Sequence, residues 1–414
     1  MTTVYEKPKL SNRYVEMKVC DISIIGHPDT GAFIGLDNEG ETLIQMLKEG
    51  VEFSKDDLTE NQLMLLNALD ESGFFAEQPI ERRLQSAFLH VTSRCNLDCI
   101  GCYSYENERN MKADLSLDEI KKILDNLVSS GLSKLTISGG EPFMRNDIID
   151  ILRYAKEDLG IEDVTCISNG FAEVSTYLEA GQYVDLLKFS LDACDDSSAT
   201  IRPNSIFNPI ITAITVLKDA GINVAITFTI HKKNFDKLGE LPDLVNRLGV
   251  SCNLSVLTIP STNGKKSAFT FDDDDFNLMY EHAKNNSFDI PIEDNVIDSG
   301  LSCSLLCGAG TSTVSISSVG DVYPCHFFNG YTEFFMGNSL ENDIVGIVNS
   351  EANIFASMTV DDLEQCKGCD VRYFCGGGCR FRGYADFGDT KGHDRICKTN
   401  LATIENIIRS LSKN

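Results

Sequence analysis

The 414-residue chain lacks the features that would assign it to a membrane, to secretion or to nucleic acid. No run of eighteen apolar residues is present, which argues against a membrane span. The N-terminal residues MTTVYEK lack the basic and then apolar pattern of a signal peptide, so we expect a cytoplasmic location. Basic residues are scarce: 36 Lys and Arg stand against 62 Asp and Glu. The resulting net charge of −26 argues against a nucleic-acid partner, whose phosphates would be repelled. Tryptophan is absent, and this predicts nothing by itself.

Cysteine, in contrast, is abundant, with 15 residues in the chain. In a reducing compartment such a number predicts metal binding or redox chemistry rather than a disulfide framework. Three cysteines lie close together near residue 100, and a second, denser group follows residue 300.

The sequence divides into three segments, 1–85, 86–300 and 301–414. In the first, short apolar runs at 21–26 and 32–36 predict two strands. Asp37 and Thr59 are expected to cap the two helices that follow. This order is typical of a small winged-helix-like domain. In the third segment, the runs at 313–318 and 322–327 predict a hairpin within a cysteine-rich domain.

The middle segment alternates strand and helix patterns, which predicts an α/β fold with a parallel sheet, arranged as a partial barrel of six units. In such folds ligands bind at the carboxyl ends of the strands, and the first cysteine group directly follows the first strand. The predicted strands are 88–92, 135–138, 164–168, 186–191, 224–230 and 252–257.

The first cysteine group has the spacing Cys95-x3-Cys99-x2-Cys102. Three thiolates on one short loop can bind three irons of a 4Fe–4S cube, and they leave the fourth iron open for a substrate or cofactor. A zinc site, or three unrelated cysteines, remains open on spacing alone.

The second predicted strand ends in the run Gly139-Gly140-Glu141-Pro142. The two glycines allow close approach of a ligand, and the carbonyls and the carboxylate that follow can receive an ammonium group. By itself this run could equally be an ordinary turn.

Together these two motifs resemble the signature of the radical S-adenosylmethionine (radical SAM) enzymes. The resemblance implies a cluster whose open iron binds the amino and carboxylate groups of S-adenosylmethionine, which is cleaved to a 5′-deoxyadenosyl radical. Weaker matches lie at the ends of the third and fourth strands and at Arg202, and there an ordinary strand-end polar residue or a surface charge is an equal alternative. Many family members carry an aromatic before the third cysteine, where this chain has Gly101. The implied cofactor contacts are Tyr103, Gly139, Gly140, Glu141, Pro142, Ser168, Asn169, Ser190, Asp192 and Arg202.

The cysteines after residue 300 resemble the seven-cysteine SPASM extension of radical SAM peptide maturases. The resemblance implies two auxiliary 4Fe–4S clusters, and therefore three clusters in the chain. One cluster would be bound by Cys366, Cys369, Cys375 and Cys397. The other would be bound by Cys307, Cys325 and Cys379, with Cys303 as a plausible fourth ligand. Without Cys303, this cluster would have an open iron that could hold a substrate thiolate. Taken alone, the extension would also fit paired zinc sites.

The segment 1–85 resembles the PqqD-like element that binds the leader of a precursor peptide by adding it as a strand. We therefore expect a peptide maturase that joins side chains by a thioether, C–C or C–O link. Its implied partners are a precursor peptide with a leader and an external electron donor of the flavodoxin or ferredoxin type. Alternatives are a sulfatase-type formylglycine maturase, a peptide epimerase, a maturase of a peptide-derived redox cofactor, and a non-catalytic iron–sulfur electron carrier.

Overall fold

The computed structural model describes residues 8–75, 84–104, 110–111, 113–198, 200–202, 206–259, 268–285 and 300–411. Buried apolar side chains form three clusters, and two of them cross the segment boundaries predicted from the sequence. Within the described residues, no helix is both long enough and apolar enough to cross a membrane.

The N-terminal unit is a three-stranded antiparallel sheet followed by two helices. Both predicted strands are present, and a third strand that the sequence analysis missed precedes them. As predicted, the side chains of Asp37 and Thr59 accept backbone N–H groups at the starts of the two helices, over 2.7 and 3.3 Å. The elements are β1 Val15–Val19, β2 Ile22–His27, β3 Ala32–Leu36, α1 Asn38–Glu49 and α2 Glu60–Glu71.

The middle segment forms six parallel strands that are neighbours in chain order, which confirms the predicted parallel sheet. Side chains alternate along each strand. In the fourth of these strands, for example, Leu187 and Phe189 are buried, whereas Lys188 and Ser190 line a cavity on the other face. The strands are β4 Ser86–His90, β5 Lys134–Ser138, β6 Asp163–Ser168, β7 Leu186–Leu191, β8 Val224–Ile230 and β9 Ser251–Val256. The helices between them are α3 Leu117–Ser129, α4 Ile148–Arg153, α5 Val174–Ala180, α6 Phe207–Asp219 and α7 Leu241–Leu248.

The C-terminal unit contains the predicted hairpin, but the hairpin belongs to the same sheet as the middle segment. Its first strand lies parallel to β4, and the order across the sheet is β12-β11-β10-β4-β5-β6-β7-β8-β9. The sequence does not indicate this pairing, because it joins residues such as Ser86 and Thr313 that lie 227 positions apart. The remaining elements are α8 Asp273–Lys284, β10 Thr313–Ile316, β11 Asp321–Tyr323, β12 Gly337–Asn338, α9 Ile344–Val348, α10 Arg372–Cys375, α11 Arg380–Phe387 and α12 Cys397–Leu411.

The N-terminal sheet packs against the C-terminal unit. Met17, Val19 and Ile24 belong to the same apolar cluster as the core of that unit. The ring of Phe33 meets the ring of Phe374 edge-on, with 4.9 Å between centroids. The N-terminal unit is therefore held against the C-terminal unit by apolar and aromatic contacts.

Candidate active site and cysteine clusters

Two of the predicted cysteine groups line one large cavity. This cavity has a volume of about 700 Å³, and the carboxyl-terminal residues of several parallel strands form part of its wall. The position agrees with the rule that open α/β sheets bind ligands at the carboxyl ends of their strands. The loop after β4 contributes Cys95, Cys99 and Cys102, and the C-terminal unit contributes Cys307, Cys325 and Cys379.

The thiols of the first loop, one buried and two partly buried, fit a metal cluster. Burial raises the pKa of the Cys99 thiol to about 11, although the nearby Arg202 opposes the rise. Such a thiol is ionised at neutral pH only when a metal supports the thiolate. Within the described residues, no three His, Cys, Asp or Glu side chains converge on one point that could hold a single metal ion. A cubane cluster instead distributes its cysteine ligands over separate irons.

Gly139 and Gly140 bring the end of β5 onto the backbone of the cysteine loop. A β-carbon at Gly139 would lie 2.4 Å from the Thr92 carbonyl oxygen, and one at Gly140 would lie 2.1 Å from that of Arg94. The Gly140 N–H donates to the Thr92 oxygen over 2.7 Å. The sequence analysis explained these glycines by close approach to a ligand. The structure shows that the first requirement is close approach between two loops that both line the cavity.

Glu141 is a buried carboxyl group that connects two strand ends. One of its oxygens accepts the Ser168 hydroxyl over 2.8 Å, and the other accepts the Asn169 N–H over 2.7 Å. Burial raises the pKa of Glu141 to about 7, and these hydrogen bonds oppose the rise. The carboxyl group lines the cavity, so a cationic ligand there would meet an acid that is easily ionised at neutral pH.

Asn169 links β6 to the first cysteine loop. Its side-chain amide donates to the Asn96 side-chain oxygen over 2.8 Å and lies 3.8 Å from the Cys95 sulfur. Ser168, one residue earlier, also contacts the Tyr177 hydroxyl at 2.8 Å. Sequence reasoning missed Tyr177, which does not line the cavity but whose hydroxyl contacts Ser168 at the end of β6.

Asp192, which the sequence analysis assigned to the cofactor, does not line the cavity. It is buried behind Arg202, with 3.1 Å between Oδ1 and the guanidinium Nη1. Burial alone would raise the pKa of Asp192, but Arg202 and a hydrogen bond from His231 hold it below the ordinary value. Arg202 does line the cavity, as predicted. Asp192 therefore orients Arg202, and His231 is a partner that the sequence did not reveal.

The other predicted cofactor contacts also fall into two groups, those that line the cavity and those that do not. Pro142 is buried in the turn after β5 but does not line the cavity. The contacts that do line it are Tyr103, Gly139, Gly140, Glu141, Ser168, Asn169, Ser190 and Arg202.

An aromatic wall joins the two cysteine groups. The Tyr103 hydroxyl lies 3.0 Å from the Ser138 hydroxyl, and the Tyr103 ring meets the His326 ring edge-on. His326 stacks on Phe88 with 4.3 Å between centroids. Burial and the nearby His90 lower the pKa of His326 to about 3, so its ring is neutral. Sequence reasoning missed His326, and its only signal was its position directly after Cys325.

Cys303, the predicted fourth ligand of the Cys307 group, is not brought to the cavity. Its sulfur lies against the N-terminal sheet, where a β-carbon added at Gly26 would stand 2.6 Å from it. Its side chain is 1% exposed, and burial raises the pKa of this thiol to about 12. In this structure Cys303 packs between two units instead of facing the other three cysteines.

The remaining four cysteines meet at a second, small cavity. Cys366, Cys369, Cys375 and Cys397 all line a space of about 20 Å³, as the sequence grouping predicted. Three successive glycines, Gly376 to Gly378, have φ values of 60°, 84° and 73°. This left-handed stretch, which favours glycine, turns the chain so that Cys375 lines the small cavity and Cys379 the large one.

Comparison with family models agrees with this geometry. Residues 89–245 match the model of the radical SAM superfamily, and residues 307–370 match that of the SPASM iron–sulfur cluster-binding domain. The chain carries a radical SAM domain and a SPASM domain. The radical SAM domain contains the first cysteine loop, the Gly139–Glu141 turn and Arg202. The SPASM match ends before Cys375, Cys379 and Cys397.

Curated relatives match most of the chain at low identity. An AdoMet-dependent heme synthase from Methanosarcina barkeri is 26% identical over 74% of this chain and 94% of its own length. The mycofactocin maturase MftC from Mycolicibacterium smegmatis is 28% identical over 70% of this chain and 76% of its own length.

Solved structures share the fold. Native anSMEcpe with bound AdoMet matches with a TM-score of 0.62 and 16% identity, covering 80% of this chain and 98% of that one. Streptococcus suis SuiB bound to the precursor peptide SuiA matches with a TM-score of 0.60 and 16% identity, covering 93% and 98%. At this identity the likeness concerns the fold.

Proposed function

We propose that this chain is a radical SAM enzyme that modifies a ribosomally made precursor peptide. The observation that carries the proposal is the shared cavity. The Cys95 loop and the Cys307, Cys325 and Cys379 group line the same space of about 700 Å³. Its volume lies in the range of ligand sites, and it is large enough to admit part of a peptide beside a cofactor.

Two comparisons favour a peptide over other substrates. The relative MftC is named as a mycofactocin maturase, and the structures of SuiB and anSMEcpe include complexes with peptides. The structural match with SuiB covers 93% of this chain and therefore includes most of the N-terminal unit.

In the proposed site, each residue has a role in holding S-adenosylmethionine. Cys95, Cys99 and Cys102 would bind three irons of the cluster. The carboxylate of Glu141 would accept a hydrogen bond from the methionyl amino group, and Arg202 would pair with the methionyl carboxylate. When bound, the cofactor supplies a 5′-deoxyadenosyl radical that takes a hydrogen atom from the peptide.

The link proposed to follow is a thioether, C–C or C–O bond between neighbouring side chains, and its formation releases one electron and one proton. We assign the acceptor of that electron to an auxiliary cluster on Cys307, Cys325 and Cys379. Because Cys303 faces away from these cysteines, one position would be free for a thiolate of the substrate. An external donor of the flavodoxin or ferredoxin type would supply the first electron.

The N-terminal unit is the proposed leader-binding element. Its sheet has β1 and β3 as outer strands, and an outer strand can accept a peptide as an additional strand. Removing residues 1–85 would expose the apolar face on which Met17 and Ile24 pack, so deletion is a poor test. Supplying the leader separately from the core peptide leaves the enzyme intact.

The experiment is anaerobic incubation of the reconstituted protein with reductant, S-adenosylmethionine and the short peptide encoded beside its gene. We expect 5′-deoxyadenosine and a peptide that has lost two hydrogen atoms, located by tandem mass spectrometry. A core peptide without leader should react poorly, and adding the leader in trans should restore part of the rate. Conversion of one Cys or Ser to formylglycine, or epimerisation without change of mass, would reject the crosslink. Absence of 5′-deoxyadenosine from a protein with full iron content would reject the enzyme assignment.

A further inference from the structure

Arg380 is a buried cation without a carboxylate partner. It is only 1% exposed to solvent. The guanidinium donates only to backbone carbonyls among the described residues. These carbonyls belong to Gly377, Gly378, Thr390 and Gly392.

Among the residues that the structure describes, two other arginines are buried, and both are paired with a carboxylate. Arg382, two residues later, forms a two-pronged ion pair with Asp394, with N–O distances of 2.9 and 3.0 Å. Arg145 pairs with Asp147 over 2.8 Å. A buried charge without an opposite charge is strongly destabilising, so Arg380 requires an anion, and no side chain in the described part of the chain pairs with it.

The position of Arg380 indicates where that anion would be. Arg380 lines the large cavity directly after Cys379, but its guanidinium donates to the carbonyls of Gly377 and Gly378, and both of these glycines line the small cavity. Burial raises the pKa values of the Cys366 and Cys397 thiols in the small cavity, and the charge of Arg380 opposes both increases. Its guanidinium is therefore close enough to act on that cysteine group from its buried side.

We propose that Arg380 is the cationic partner of the iron–sulfur cluster on Cys366, Cys369, Cys375 and Cys397, and that it raises the reduction potential of this cluster. The inference rests on the proposed cluster at this site. Reduction adds one negative charge to the cluster, and a buried cation favours the more negative state. Arg380 thus sets how readily this cluster holds an electron.

The test is a potentiometric titration of the anaerobically reconstituted full-length chain, followed by electron paramagnetic resonance. The signal of this cluster is identified by its loss in Cys369→Ala. We expect Arg380→Gln to lower the equilibrium constant for one-electron reduction at least tenfold, which corresponds to about 59 mV. Arg380→Lys keeps the charge and should stay close to wild type.

Arg372→Gln is the matched control. Arg372 also lines the small cavity and donates to the Cys369 carbonyl over 3.2 Å, but its side chain is 24% exposed and pairs with Asp361. Solvent screens this charge, so its removal should change the potential much less than the change in Arg380→Gln.

Each outcome decides one question. A wild-type protein that never binds this cluster rejects the proposed site, whatever Arg380 does. An unchanged potential in Arg380→Gln, in a protein that does hold the cluster, overturns the inference. If Arg380→Gln fails to retain the cluster while Arg380→Lys retains it at near wild-type potential, the cationic role is supported. Equal loss in both variants would show that only the carbonyl hydrogen bonds matter and would overturn the inference.

Discussion

Glu141 shows how a single buried residue can link local structure to cofactor binding. It is 2% exposed, it joins the ends of β5 and β6, and it lines the cavity. Its pKa of about 7, raised by burial, places its titration near physiological pH. Because the folded pKa lies above the ordinary 4.5, this residue contributes stability that is present below pH 4.5 and is lost as pH rises through about 7.

Cofactor affinity should depend on pH in the opposite sense. The ionised Glu141 accepts a hydrogen bond from the methionyl amino group more strongly than the protonated acid does, so affinity for S-adenosylmethionine should rise from about pH 6 to about pH 8, by up to tenfold per unit below the pKa. Glu141→Gln should bind more weakly and lose this slope. Calorimetric titration of the reconstituted protein measures both. An equal slope in the Gln variant would mean that another group causes it.

Cys303 and Cys307 are four positions apart but face different surroundings. Cys303→Ala should keep the full iron content of about twelve atoms, whereas Cys307→Ala should lose up to about four. Iron analysis and the cluster spectrum after anaerobic reconstitution measure the difference. If Cys303→Ala loses a cluster while circular dichroism shows an unchanged fold, Cys303 is a cluster ligand.

At the scale of elements, the contact between the N-terminal sheet and the C-terminal unit depends on Gly26 in β2. A β-carbon there would lie 2.6 Å from the Cys303 sulfur and 3.1 Å from the end of Met17. Gly35 in β3 offers a matched control, because its nearest neighbour would be the Ile22 side chain at 3.8 Å.

Gly26→Ala should therefore destabilise the protein by about 1–3 kcal/mol through overpacking, and Gly35→Ala should not. Differential scanning calorimetry of the two variants tests this. Combining Gly26→Ala with Cys303→Ala should recover part of the loss, since it removes the clashing sulfur. Equal effects of the two glycine variants would show that the close contact does not control stability.

The loop after β4 is the second element whose role can be isolated. Replacing Cys95, Cys99 and Cys102 by Ala should abolish formation of 5′-deoxyadenosine. Cys366, Cys369, Cys375 and Cys397 line a separate cavity, so their cluster should remain. Cys307, Cys325 and Cys379 line the same large cavity as the first loop, so their cluster depends more on that loop than the cluster of the small cavity does. Chromatographic detection of 5′-deoxyadenosine in the triple variant would refute this assignment.

At the scale of the whole molecule, the net charge of −26 should influence the encounter with substrate. A basic leader would be attracted over long range, and added salt screens this attraction. We expect the association rate of such a leader to fall between low salt and about 0.5 M salt. Stopped-flow fluorescence with a labelled leader measures the rate, and a neutralised leader is the control. Salt-independent association of the basic leader would contradict the expectation.

The sequence by itself determined the features that depend on neighbouring residues. Asp37 and Thr59 mark their helix starts because a cap bonds to N–H groups only a few residues away. The alternating patterns of β4 to β9 predicted the parallel sheet, because strands separated by helices pair in parallel. The resemblance to the SPASM extension implied the division of the later cysteines into two groups, which line separate cavities, whereas Cys303 lines neither.

Only the tertiary structure decided which side chains face the cavities. Asp192 stands at a strand end like Ser190, yet it lies behind Arg202, because His231 from after β8 lies next to its carboxylate. Cys303 turns toward the N-terminal sheet because Gly26, far away in the sequence, leaves space for its sulfur. His326 gained its position through ring contacts with Phe88 and Tyr103, which lie more than 220 positions away in the sequence. Such contacts leave no local pattern, since side-chain direction is set by packing that forms only when the chain has folded.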